Sequence, residues 1–370
     1  MARIVVCGLG FAGLEALRYL TSLGVCDRHE CVVVAPTDRF EFLPALPELV
    51  AGRIGVHDVS WHVGSWLKEN NVFHVVGRVV SVRENKLGLE DGEKLDYDYL
   101  LVAWGAEPSF YGIPGARENS IPLYSVENSL RLRRFLERAR SLAIVGAGLV
   151  GSELAAEVAT AHERFPNLEK IVIVDALDEP LKLLGNRRGS RLVRKVLQKL
   201  GIELMLGKPV MRVEPGKLYL RGGGVIEADV IAWCTGVKAR TIDADNLKID
   251  ERGYLVIDSR CRVEGGRDRV YAAGDASSYV KAGCTALKMV REALRQAKVA
   301  AYNIAAALGL EREKRYKPLI TSCKPAALVV MGPSNTVFIY GKRVAFNIAL
   351  LQKYKVWWLR RFRERYTKGC

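Results

Sequence analysis

The pattern Gly-x-Gly-x-x-Gly occurs twice in this chain, with its first glycines at 8 and 146. Each copy stands between a strand-like run and a helix-like one. In the first, the β-branched run RIVVC (residues 3–7) leads into Gly8-Leu9-Gly10-Phe11-Ala12-Gly13. Residues 14–22 then have helical spacing, and CVVVA (31–35) reads as the next strand. In the second, LAIV (142–145) leads into Gly146-Ala147-Gly148-Leu149-Val150-Gly151, a helix through about residue 164, and the strand IVIVD (171–175). A glycine motif alone is weak, but within a strand–turn–helix–strand unit each glycine has a task. The first allows the tight turn, the second lets backbone approach a pyrophosphate, and the third permits close helix–strand packing. The helix N-terminus then offers N–H donors to an anion. Two such units predict an α/β protein with two Rossmann-like dinucleotide-binding domains.

Short strands with turns are expected within 72–90, a buried strand at 100–103, further strands at 230–233 and 270–273, a long helix at 286–308, and β-prone runs at 327–330 and 337–340. This order divides the chain into one discontinuous dinucleotide domain (1–115 with 251–317), a second (116–250), and a C-terminal region (318–370). A length of 370 residues supports two or three such units. No apolar run approaches the roughly 18 residues of a membrane-spanning helix. The N-terminus begins at once as a strand rather than a signal peptide, so a cytoplasmic setting is expected.

The net charge of +15 favours anionic partners, yet no nucleic-acid-reading motif accompanies it. Eight cysteines, at 7, 26, 31, 234, 261, 284, 323 and 370, form neither a Cys-x-x-Cys nor a zinc spacing, so no metal is expected. Cys7 and Cys234 suit buried positions in apolar strands, and whether Cys26 and Cys31 pair stays open. Only three glutamines, with abundant arginine and glutamate, point towards a thermophile.

The partner of a dinucleotide loop is an acid at the end of the second strand, which accepts ribose hydroxyls and repels a 2′-phosphate. Asp175 fills that position in the second copy and predicts a preference for NADH. In the first copy the position falls on Ala35 or Pro36, leaving Glu30, Asp38 or backbone groups to substitute. Gly274-Asp275 closes another strand ahead of a helix, where an aspartate either caps the helix or accepts from a ribityl chain.

With these motifs stand residues 7–15 (CGLGFAGLE), 40–52 (FEFLPALPELVAG), 97–108 (YDYLLVAWGAEP), 112–115 (GIPG), 145–157 (VGAGLVGSELAAE), 228–237 (ADVIAWCTGV) and 270–277 (VYAAGDAS). From about residue 1 to 310 the chain resembles two-domain flavoproteins, most closely the type II NADH dehydrogenases (NADH:quinone oxidoreductases). The resemblance implies FAD on Gly8, Gly10, Phe11, Ala12, Gly13, Pro36, Pro44, Val79, Ala103, Gly105, Gly274, Asp275, Met289 and Val290. It implies NADH on Gly146, Gly148, Gly151, Asp175 and Gly236. Glu153 matches a family glutamate near the nicotinamide–flavin contact, where a carboxylate relays protons or positions the donor. Its alternative is a first-turn helix acid favoured by the dipole.

Three departures accompany the match. The family's quinone motif, Ala-Gln-x-Ala-x-Gln-Gln, falls on Val290-Arg291-Glu292-Ala293-Leu294-Arg295-Gln296, with arginines at two glutamine positions. Trp104 is bulky for its turn, and the C-terminal region is short. The sulfide:quinone oxidoreductases are a near alternative, with Cys284 and Cys323 as possible redox cysteines. A flavin-holding sensor or interaction protein, with Trp104 and Arg291 blocking the substrate, is a third.

The last stretch suggests where the quinone would be met. On a helical wheel Leu350, Leu351, Tyr354, Trp357, Trp358 and Phe362 share an apolar arc, with Lys353, Arg360 and Arg363 opposite and Arg361 and Arg365 intruding on it. Such a segment fits an acidic membrane surface, holding the protein peripherally on the cytoplasmic side of the cell membrane. Its alternative is packing against the protein's own core or a second subunit of a homodimer.

Overall fold

The two glycine motifs initiate two parallel sheets in the computed structural model, which describes residues 1–367; Lys368 and Cys370 lie outside the described residues. The first sheet runs in the order Val270–Ala272, Tyr99–Val102, Arg3–Cys7, Glu30–Ala35, Val72–Val76. All its neighbours are parallel. The second runs Ile121–Pro122, Val230–Trp233, Ser141–Val145, Lys170–Asp175, Glu203–Leu206, again parallel throughout. The glycine strand is central in both, as expected for doubly covered sheets whose middle strands are near-continuous apolar runs. Ile4, Val5 and Val6 in one and Leu142, Ala143 and Ile144 in the other are fully buried.

Helix Phe11–Ser22 follows the first glycine turn and packs against the long helix Val290–Ala307. That helix begins four residues later than its spacing suggests. Residues 286 and 287 are instead extended, because Ala286 bridges Thr321 and the Leu287 N–H donates to the Ile320 carbonyl at 3.0 Å. Tertiary pairing overrides local helical preference there. Helix Leu149–Ala159 follows the second glycine turn and ends before the expected residue 164.

The C-terminal region is a three-stranded antiparallel sheet, Ala326–Val330, Thr336–Tyr340 and Val344–Asn347, followed by helix Gln352–Thr367. The sheet's inner face (Ala327, Val329, Val337, Ile339, Ala345) is buried, with helix Arg187–Lys199 beside it.

The expected apolar arc of the last helix is divided. Phe362 is buried and Trp358 half-buried, and both lie against Phe11 and Phe42; Leu359 and Tyr366 complete this inward face. Leu350, Tyr354 and Trp357 remain exposed. The arc therefore serves two surfaces, because the half nearest Tyr366 finds an aromatic partner layer in the first domain.

Cys26–Cys31 and Cys284–Cys323 are disulfides, while Cys7, Cys234 and Cys261 are free and buried. Burial pushes all three free thiols up, so none is poised as a thiolate. No helix among the described residues is long and apolar enough to cross a membrane.

Candidate functional site

Packing explains two glycines of each motif and leaves the third for a ligand. A Cβ on Gly8 would meet the Ala103 carbonyl at 2.6 Å, and one on Gly13 would sit 1.8 Å from the Gly8 carbonyl. In the second loop, a Cβ on Gly146 would meet the Cys234 carbonyl at 2.5 Å, and one on Gly151 the Gly146 carbonyl at 1.9 Å. The middle glycines differ. Around Gly10 and Gly148 a Cβ would meet nothing within 4 Å. Both middle glycines are also the N-caps of their helices, and neither cap supplies a side-chain acceptor. Each loop thus keeps open space in front of uncapped helix N–H groups, which fits a pyrophosphate. The residues present fit FAD in one loop and a nicotinamide dinucleotide in the other.

Several expected flavin residues converge. A Cβ on Gly274 would reach the Ala12 Cβ at 3.0 Å, and the Gly274 N–H donates to Gln296 Oε1 at 2.8 Å. Asp275, Met289, Lys288, Ala293 and Gln296 line one recess. Burial pushes the Asp275 carboxyl up while Lys288 opposes it, and burial pulls the Lys288 ammonium down to about 8. Lys288 donates to the Asp275 carbonyl at 3.2 Å and to the Ser277 carbonyl, and its Nζ lies 3.8 Å from the centre of the Tyr254 ring. Ala103 is buried beside the first loop and Gly105 follows at positive φ. Val290 opens its helix, Phe11 lies under the C-terminal aromatics, and Pro44 sits in the turn Leu43–Ala45. Pro36 is exposed just past its strand, and Val79 is buried in a separate four-stranded sheet. Of the substitutes for the missing acid, Glu30 is at the wrong end of its strand and pairs with Arg3 at 2.6 Å. Asp38 lies just beyond the correct end and pairs with His62 at 2.7 Å.

In the second loop, Asp175 ends its strand as expected, with both carboxylate oxygens accepting from backbone. Oδ2 takes the Ala147 N–H at 2.5 Å and Oδ1 the Leu177 N–H at 2.7 Å. Gly236 follows the strand Val230–Trp233 at positive φ, with open space around its Cα.

Glu153 is buried and belongs to a charge cluster that joins three parts of the chain. Its Oε1 accepts from the Val330 N–H at 2.8 Å, and Oε2 lies 3.4 Å from Lys355 Nζ. Lys355 also pairs with Glu48 at 2.8 Å, and Glu157 pairs with Arg53 and accepts from the Gly332 N–H at 3.1 Å. Burial, helped by the neighbouring Glu48 and Glu157, pushes the Glu153 carboxyl up to about 7, against Lys355. Glu48 Oε2 is buried without a partner. Sequence reading singled out Glu153 alone. Its four-residue spacing from Glu157 on an otherwise apolar helix was the available signal; Glu48 and Lys355 carry none, since only the tertiary fold brings them there.

The segment under the quinone motif has an interior role. Glu292 accepts from the Leu319 and Ile320 N–H groups at 3.1 and 3.0 Å and from the Tyr316 hydroxyl. Gln296 holds Gly274, Arg295 donates to the Lys317 carbonyl at 2.7 Å, and Arg291 is exposed. Trp104 is half-buried.

Comparison with known proteins places this geometry. A profile of the pyridine nucleotide-disulphide oxidoreductases matches residues 2–303. An alternative NAD(P)H-ubiquinone oxidoreductase of Arabidopsis thaliana is 28% identical over 362 residues, covering 83% of this chain and 67% of that protein. A type II NADH:quinone oxidoreductase of Staphylococcus saprophyticus is 25% identical over 309 residues, 76% of each chain. The sulfide:quinone oxidoreductase of the hyperthermophilic bacterium Aquifex aeolicus superposes with a TM-score of 0.84 at 15% identity, over 100% of this chain and 92% of that one. At that identity the likeness is one of fold. Across the leading relatives the chain spans between 54% and 76% of their length.

Proposed function

The chain belongs to the pyridine nucleotide-disulphide oxidoreductase family, and from that membership we propose that it passes two electrons from NADH through FAD to a membrane quinone. The observation that carries this reading is the pair of open, uncapped glycine turns on separate sheets, one for each dinucleotide. The proposed division is an FAD domain from 1–115 and 251–317, an NADH domain from 116–250, and a C-terminal region from 318 onwards.

Bound FAD supplies the two-electron carrier between donor and acceptor. The protein supplies position and proton management. The first loop, with Ala103, Gly274 and Asp275, would hold FAD; the second, with Asp175 and Gly236, would hold NADH. Reducing a quinone to a quinol consumes two protons. A carboxyl group poised near neutrality suits that demand, and Glu153 has that poise with Lys355 to orient it. In this reading Glu153 is the acid–base residue rather than a helix-end acid.

The C-terminal sheet supports an acidic membrane surface as the site of attachment. Its outward face carries Ala326, Leu328, Phe338, Tyr340, Val344 and Phe346 in cross-strand rows, with Val330 and Thr336 of the same face buried at one end. Ile348, Leu350, Tyr354 and Trp357 extend it as exposed apolar residues. Arg188 lies over the Phe346 ring and Lys324 over the Tyr340 ring. An apolar face with a cationic border suits anionic lipid, whereas a second copy would bring like charges together. The proposed location is the cytoplasmic side of the membrane.

An anaerobic titration tests the electron path. NADH should bleach the bound flavin, and a short-chain quinone should restore its colour. Bleaching by sulfide and not by NADH would move the reading to sulfide oxidation. No bleaching by either would leave a flavin-holding protein.

A further inference from the structure

The two disulfides differ in setting. Cys26 and Cys31 are both buried, whereas Cys284 is half-buried and Cys323 exposed. Cys284–Cys323 closes the open end of a short antiparallel zipper. The Ser322 N–H donates to the Thr285 carbonyl at 2.8 Å, the Thr285 N–H to Ser322 Oγ at 3.0 Å, Ala286 bridges Thr321, and the Leu287 N–H meets Ile320. One side of this zipper runs directly into Lys288 and Met289 of the flavin-side recess. The other belongs to the strap between the long helix and the C-terminal sheet, which Glu292 grips at Leu319 and Ile320. The disulfide spans 39 residues of sequence and therefore staples the whole helix Val290–Ala307.

The chemistry beside the pair favours exchange. Lys281 is the direct cross-strand partner of Cys284 in the hairpin Val280–Lys281/Cys284–Thr285, so both side chains project from one face. An ammonium there stabilises a departing Cys284 thiolate. Lys324 follows Cys323 in the chain and adds a second positive charge. The exposed sulfur is the accessible one, and the shielded sulfur has the cation.

We propose that Cys284–Cys323 is a thiol-exchange site for a low-molecular-weight anionic thiol, and that its opening releases the strap at 318–324. A thiolate attacks Cys323 Sγ, the bond to Cys284 breaks, and Cys284 leaves as a thiolate beside Lys281. The adduct on Cys323 is a mixed disulfide. A second thiol attacks the small-molecule sulfur of that adduct, releasing Cys323 as a thiolate and the oxidised disulfide of the small thiol. Two thiols are thus oxidised, the protein disulfide gains two electrons, and the two protons given up by the small thiols balance the new protein thiols. The inference does not depend on which electron acceptor the protein uses.

The test uses the full chain as purified without reductant, with glutathione as the anionic thiol and cysteamine as its cationic counterpart. Alkylation followed by peptide mass mapping reads each cysteine, and limited proteolysis reads the strap. Cys284 and Cys323 should be alkylated at least about tenfold faster than Cys26 and Cys31. Glutathione should outpace cysteamine by about threefold at low salt, and the gap should close at high salt. Cleavage within 318–324 should rise in parallel, and the melting temperature should fall by about 5 °C. Lys281→Glu should keep the disulfide and lose the preference for glutathione. A Cys284→Ser/Cys323→Ser protein should melt at the reduced protein's temperature and respond to neither thiol. Three results would each overturn the proposal: free thiols at 284 and 323 in protein purified without reductant, equal opening of both disulfides, or exchange with no change in strap cleavage.

Discussion

Asp175 is engaged before any ligand arrives, because the Ala147 and Leu177 N–H groups already occupy its two oxygens. Each carboxylate oxygen accepts more than one hydrogen bond, so the residue supports the turn and keeps acceptor capacity for the proposed ribose. Asp175→Ala should raise the Michaelis constant for NADH about tenfold, the cost of a lost charge-assisted bond. It should also narrow the preference over NADPH; steady-state kinetics with both donors checks this. Glu153 makes a different prediction. Its carboxyl is raised from 4.5 to about 7, so the folded state holds that proton more tightly than the unfolded state does. The stability it contributes is full below about pH 4.5 and is lost as pH rises through about 7. Glu153→Gln should flatten that part of the stability profile in urea titrations run at several pH values. If Glu153 is the proton donor, the same variant should also slow quinone reduction while NADH still bleaches the flavin. The burial that raises this carboxyl was invisible in the sequence, where Glu153 reads equally well as a helix-start acid.

At the scale of the glycine turn the two halves of the motif separate experimentally. Gly13→Ala places a Cβ at 1.8 Å from a backbone carbonyl that cannot move without breaking the turn. It should destabilise the fold by about 3 kcal/mol or more, seen as a large drop in melting temperature. Gly10→Ala meets nothing within 4 Å, so the protein should melt near the wild-type temperature yet retain much less flavin after desalting. Equal loss of stability in both variants would contradict the assignment of Gly10 to ligand approach. These elements were the most legible part of the chain, since strand, turn and helix are local and each glycine has a local reason. The start of helix Val290–Ala307 was not legible, because residues 286 and 287 answer to a strap more than thirty residues away. Gln296 likewise matched a quinone motif in sequence, with Glu292 at one of its unspecified positions, while in the fold both hold backbone.

The whole molecule carries +15, and its uncovered apolar sheet lies among cations. A triple change, Phe346→Ser, Tyr354→Ser and Trp357→Ser, removes exposed apolar area without touching the buried aromatic layer. It should abolish co-sedimentation with anionic liposomes while leaving NADH oxidation by a soluble quinone intact, and wild-type binding should weaken as salt rises. Removing residues 352–370 is a poorer experiment than the sequence suggests. It would strip Phe362 and Tyr366 from their partners and take Lys355 from Glu48 and Glu153. The division of the helix between core and surface could not be read from its periodicity, which records only that one side is apolar.

Lys355 also imposes an order in time. The acids it balances, Glu48 and Glu153, are synthesised first, while their cation follows about 200 residues after the second of them. Until then a growing chain that closed its first two sheets would be burying carboxylates with no nearby ammonium, so those acids must stay hydrated or protonated. Both parallel sheets are complete in sequence by residue 272, so they can form during translation before Lys355 is made. The joint between them is completed only when helix Gln352–Thr367 has been made, so a chain stalled or truncated before that helix would be largely folded yet left with its acidic centre unsealed.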